Sequence, residues 1–168
     1  ALFGLARVKR LDAESIWRTL NLLEQNPSSD QPRRAPPPDL VQELNDLFDG
    51  ADSNLIQPRR FASVSSLQAL FFLNSEHLQK SAEKFALRLH DRHPDDEARI
   101  HRAHLLLYGR KADQDELAAA RSFLEDWKSD PPETQSGSNK NGPPPETLAA
   151  WSAYLRALCA SNEFLYAD

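Results

Sequence analysis

One cysteine, Cys159, leaves no partner within the chain for a disulfide and no CxxCH motif for covalent haem. It falls in a helix-forming stretch, where a lone cysteine is expected to serve as a small buried hydrophobe. Methionine is missing altogether, the first position included, so the chain is expected to be a fragment or a processed product. No apolar run approaches the roughly 20 residues that span a bilayer, so no membrane insertion is expected. The opening ALFGLARVKR carries its charge after the apolar patch, the reverse of a secretory signal. Basic residues are in deficit, with 20 Lys and Arg against 25 Asp and Glu and a net charge of −5. A general nucleic-acid binder needs a basic face to displace condensed counterions, and the local pairs Arg33-Arg34 and Arg59-Arg60 do not reverse the balance. Glycine is scarce, at 5 residues, and alternating β-branched runs are nearly absent, which removes most of the signal for strands.

What remains is helical material cut by proline. The 12 prolines cluster in two stretches of a 168-residue chain that is long enough for one sizeable core. Hydrophobic residues at 40% and charged residues at 27% are ordinary for a globular domain. The expected fold is all-α, a compact bundle of about six to seven helices forming a single domain over residues 1–168. Two flexible proline-rich loops, 26–38 and 129–145, interrupt it.

Helical periodicity begins after Asp12, a capping residue, with Ile16, Leu20 and Leu23 in phase and Trp17 beside them. A second helix is expected over Asp39–Phe48, with Asp39 as its cap and Gln42 at the reciprocal position. A third, starting at Ser65 or Ser66, is apolar nearly all round and is expected at the centre of the core. A fourth spans Glu76 to about Leu89. Asp95, Asp96 and Glu97 then open a fifth that ends at Tyr108 with Gly109 as a left-handed cap. Asp113 and Glu116 form a capping box for a sixth helix through Trp127, and a seventh runs from Glu146 to about Ala160. Ser161–Tyr166 could add one further turn.

Several groups invite a chemical reading. Arg59 and Arg60, with Asp49, Asp52 and Asn54 nearby in sequence, could bind an acidic or sulfated polysaccharide, because guanidinium forks donate paired hydrogen bonds to anionic groups. The plainer alternative is that one arginine pairs with Asp49 or Asp52 and pins an ordered loop to the core. His90 with His93, and His101 with His104, have the spacing of paired metal ligands, yet no HExxH pattern or second cysteine supports them. His101 and His104 are expected on a polar flank of the fifth helix, and neither metal nor cofactor is expected. Ser63, Ser65 and Ser66 lack a GxSxG elbow and suit a helix cap, and no catalytic residue is assigned. Trp17, Trp127 and Trp151 could stack on sugars, but helical core spacing favours packing.

Four pieces carry a family likeness: LFDGADSN, PRRFASVSSLQALFFLNS, DDEARIHRAHLLLYGRKADQDELAAARSFL and SNEFLYAD, with Lys9–Glu14 (KRLDAE) ahead of them. In this order the chain resembles the C-terminal domain, of unknown function, of exported planctomycete proteins that often carry an upstream cytochrome c-type domain. Typical members have a longer region between the first helix and the aspartate-containing loop. The resemblance implies an exported or periplasmic location and a non-catalytic domain packing on upstream domains of the same protein. A competing implication is a module of a polysaccharide-degrading or redox-linked enzyme whose site is shared with those domains.

Overall fold

A computed structural model of the protein describes residues 9–24, 35, 37–48, 66–129 and 143–167. Within them the chain forms eight helices and one two-residue strand pair, an all-α fold. The first helix, α1 (Ala13–Glu24), opens as its sequence demands: the Asp12 carboxylate accepts from Ser15 N at 2.8 Å. Ile16, Leu20 and Leu23 are buried, and Trp17 packs partly buried against the same core.

The second helix departs from expectation at its start. α2 covers Pro38–Leu47, so Asp39 lies inside the first turn and no side chain caps the helix. Proline at the first helical position fixes φ in the helical range and lacks an N–H that would be orphaned there anyway. Asp39 bonds His77 Nε2 instead, at 2.9 Å, and that bond holds its carboxyl below the usual range. The proposed box with Gln42 is therefore not formed.

α3 (Ser66–Asn74) is also corrected. Phe71 and Phe72 are buried, but Leu70 is 48% and Leu73 42% exposed, so the helix lies at the edge of the core. The centre belongs to α7 (Pro145–Cys159), which packs against α3, α4, α5, α6 and α8. Its main partner is α4 (Glu76–Arg92), three residues longer than its periodicity suggested. Leu78, Ala82, Phe85 and Leu89 line the inner stripe of α4, each large side chain contributing about 1.5–3 kcal/mol by leaving water.

α5 (Asp96–Tyr108) begins on Asp95, whose carboxylate accepts from Ala98 N at 2.8 Å, and ends on Gly109 at φ 74°. A Cβ at Gly109 would meet nothing within 4 Å, so Gly109→Ala tests backbone strain alone. A loss of about 1 kcal/mol is expected, seen as a lower urea midpoint at unchanged slope. α6 (Gln114–Ser129) has the full reciprocal box: Asp113 N donates to Glu116 Oε2 and Glu116 N to Asp113 Oδ1, both at 2.8 Å. The ends of α6 and α7 take Ser129 and Pro145 out of the second proline-rich stretch, whose residues 130–142 lie outside the described residues. So does most of the first, whose Pro38 belongs to α2.

The tail adds two features. α8 (Asn162–Leu165) is capped by Ser161, whose Oγ accepts from Phe164 N at 3.2 Å. Beyond it β2 (Tyr166–Ala167) pairs antiparallel with β1 (Lys9–Arg10), and Leu11 N donates to Leu165 O at 2.8 Å. Phe164 meets Phe72 edge-on at 5.8 Å, and Phe72 in turn meets Phe71 and Phe48. Phe48 at the end of α2, Phe71 and Phe72 of α3 and Phe164 of α8 therefore close on one another in a single aromatic cluster.

Candidate functional site

Arg59, Arg60, Asp49 and Asn54 lie outside the described residues, as do Asp52, Ser63 and Ser65. The structure does define the two ends from which that segment departs. Phe48 closes α2 and Ser66 opens α3, and buried Gln68 ties them by donating from Nε2 to Leu47 O at 2.7 Å.

The most developed polar constellation lies where α5, α6, α7 and α8 meet. His104 and Tyr108 are four residues apart and share a face of α5, with rings edge-on at 5.1 Å. Opposite them on α7 stand Tyr154 and Leu158, again four apart. His104 Nε2 lies 3.0 Å from Tyr154 Oη, and Tyr108 Oη donates to Leu158 O at 3.0 Å. Ser161 Oγ lies 2.9 Å from Tyr108 Oη and extends the line to the α8 cap.

His104 corrects the expectation of a polar flank, because it is only 2% exposed. Its Nδ1 faces Glu116 Oε2 at 3.6 Å, too far for a hydrogen bond but close enough for the charge to matter. Burial dominates, and the imidazole is held below its ordinary basicity even though Glu116 pulls the other way. His101 is partly exposed and looks instead toward Glu97, with Nε2 3.9 Å from Oε1. The two histidines thus serve different partners. Among the described residues no three His, Cys, Asp or Glu side chains are grouped to hold a metal ion.

Arg110, in the α5–α6 turn, anchors the outer half of the constellation. Nη1 and Nη2 fork onto Glu116 at 2.7 and 2.6 Å, while Nε and Nη2 fork onto Glu163 at 2.6 and 2.7 Å. Nη1 also donates to Lys111 O at 3.2 Å. All five guanidinium N–H groups are thereby engaged. Arg110 is raised above its ordinary basicity by these bonds, and the Glu116 carboxyl is pushed down to about 2, chiefly by the Arg110 hydrogen bond.

Such a set of groups fastens one element to another. Arg110 has no N–H left for an anion. Burial pushes the Tyr108 hydroxyl up to about 12 and raises Tyr154 as well, so neither is poised to exchange protons near neutrality. Cys159 is buried as expected, and its thiol is pushed up to about 12, far from a reactive thiolate. Trp151 is fully buried, with Trp17 and Trp127 partly buried against the core, so the three tryptophans pack the interior.

Periodicity and motif spacing did not point to Arg110, Tyr108, Ser161 or Glu163. The available signal lay in the pieces YGRK and SNEF themselves, whose polar residues turn out to bond one another. A family model, PSD1, described as a protein of unknown function (DUF1553), matches residues 31–124. Curated proteins and solved structures give no match.

Proposed function

From a chain that belongs to the DUF1553 family of unknown function, we propose a non-catalytic interaction domain that packs on upstream domains of an exported protein. Residues 1–168 act as a single unit in this reading. An acidic or sulfated glycan is the accessory ligand, met by the segment carrying Arg59 and Arg60.

The exposed face of α3 is the observation that carries the reading. Leu70 and Leu73, three residues apart, share that face and stand 48% and 42% exposed. The helix cannot roll to hide them, since Phe71, Phe72 and Gln68 on the other side are buried and Gln68 is bonded to Leu47 O. An apolar pair held outward by a fixed helix suits a surface that another domain covers. The internal engagement of Arg110, Glu116, Glu163 and Tyr108, with the burial of Cys159, supports the non-catalytic part of the reading.

The parent polypeptide provides the test. Leu70→Asp with Leu73→Asp should speed proteolytic cleavage between this domain and the one before it by roughly ten- to a hundredfold, because covering two half-exposed leucines stabilises a contact by about 1.5–3 kcal/mol together. The melting temperature of the 168-residue chain alone should stay nearly unchanged. Unaltered cleavage would count against docking through α3. For the ligand, dextran sulfate should bind at low salt and lose affinity in Arg59→Lys and Arg60→Lys. Unfolding of those variants with no ligand effect would make the arginines structural.

A further inference from the structure

We propose that His104 is a proton-responsive lock on the C-terminal tail: a charge on its ring draws Glu116 away from Arg110, loosens the grip of Arg110 on Glu163, and lets α8 open. The titratable and charged groups facing the ring are His101 and Tyr108 on α5, Arg110 in the following turn, Glu116 on α6, Tyr154 on α7 and Glu163 on α8.

With the ring neutral, every contact has a consistent assignment. The Tyr154 O–H donates to Nε2 at 3.0 Å, and the Nδ1–H faces the Glu116 carboxylate at 3.6 Å. Glu116 is then free to hold Arg110 through both oxygens. A second proton on the ring disturbs both sides. Nε2 becomes a donor, so the Tyr154 hydroxyl must accept, and its own proton loses the single partner it has among the described residues. Nδ1 now carries part of a positive charge and competes with Arg110 for Glu116, while repelling the guanidinium itself.

The tail is the element that can yield. α8 is four residues long and ends in a two-residue strand, whereas α6 and α7 run 16 and 15 residues with core side chains along their length. The side-chain hydrogen bonds of α8 and its cap end on the same network: Glu163 on Arg110, and Ser161 on Tyr108, which meets His104 edge-on. Burial disfavours the charged ring, so an opened form that lets water reach it binds the proton more tightly. The stability contributed by the neutral ring is complete above the unfolded-state value near about 6.5 and falls as pH drops toward the lower folded value.

Amide hydrogen exchange of the whole chain, corrected for intrinsic rates, tests this lock alongside an NMR titration of the His104 ring. Between about pH 7 and about pH 5, the amides of Phe164, Leu165 and Leu11 should lose clearly more protection than those of α6. The midpoint should coincide with that of His104. His104→Gln should abolish the drop, and His101→Gln should retain it. Glu116, with its carboxyl near 2, stays ionised across this range and cannot imitate the effect. A pH-independent tail, a midpoint that does not follow His104, or a drop that survives in His104→Gln would overturn the proposal. Should His104→Gln fail to fold, the agreement or disagreement of the two wild-type midpoints decides.

Discussion

Trp151→Ala is expected to lower the unfolding free energy by about 3–5 kcal/mol, the range found when a large aromatic is removed from a core. The side chain is 0% exposed and sits on α7, the helix that most of the others touch. Its ring meets His90 edge-on at 5.7 Å and Tyr154 edge-on at 5.8 Å. A void there would border α4 and would also loosen Tyr154, which holds His104. Urea unfolding followed by circular dichroism measures the loss. Trp151→Phe should cost less than half as much, for a reason beyond retained volume. The indole Nε1 is buried with no hydrogen-bond partner among the described residues, so deleting it relieves an unpaired donor worth about 1–3 kcal/mol. Equal losses in the two variants would mean that the N–H contributes more than the ring.

Which elements could be read in advance follows from the range of the forces that fix them. Asp12, Asp95 and the Asp113–Glu116 box each act on a backbone N–H three residues away, so the sequence window that contains the cap also contains its target. Gly109 is local in the same sense, because its left-handed φ serves the helix it ends. Asp39 was misread where two local rules compete: Pro38 claimed the first helical position, and Asp39 turned to His77, 38 residues away. α3 was misread for a different reason. Its composition is apolar on every side, and composition alone does not reveal which face the rest of the fold leaves uncovered.

The polar constellation depends on distance along the chain. Spacing of i and i+3 in His101 and His104 suggested a shared role, yet the partner of His104 is Tyr154, 50 residues on, and Arg110 reaches Glu163, 53 residues on. Nothing in a periodic pattern encodes such pairs. The same holds for β1 and β2, two residues each with no alternation to read, brought together because α8 delivers the tail beside the start of α1. The family match stops at residue 124, whereas the helix at the centre of the core, α7, begins at Pro145. The matched region therefore folds around a helix that lies beyond it.

Ending the chain after Ser161 is expected to lower the melting temperature by roughly 10–20 °C. The missing residues include Phe164 and Leu165, 3% and 0% exposed, whose burial is worth about 3–6 kcal/mol together. Phe72 would lose the ring that covers its edge, and Leu11 the carbonyl that its N–H meets. β1 would lose its only partner among the described residues. Against a total stability of about 5–15 kcal/mol for a domain, such a loss leaves little margin. Glu163→Gln in the full chain isolates the ionic part. Arg110 and Glu163 are 42% and 41% exposed, so that pair contributes at most about 1 kcal/mol after screening by water. Thermal unfolding of the truncated chain beside Glu163→Gln separates the two contributions. A large drop for the first with a small one for the second assigns the hold of the tail to its apolar plug. Comparable drops would assign it to the Arg110 fork, and a truncated chain melting within a few degrees of the full one would make α8 peripheral to the fold.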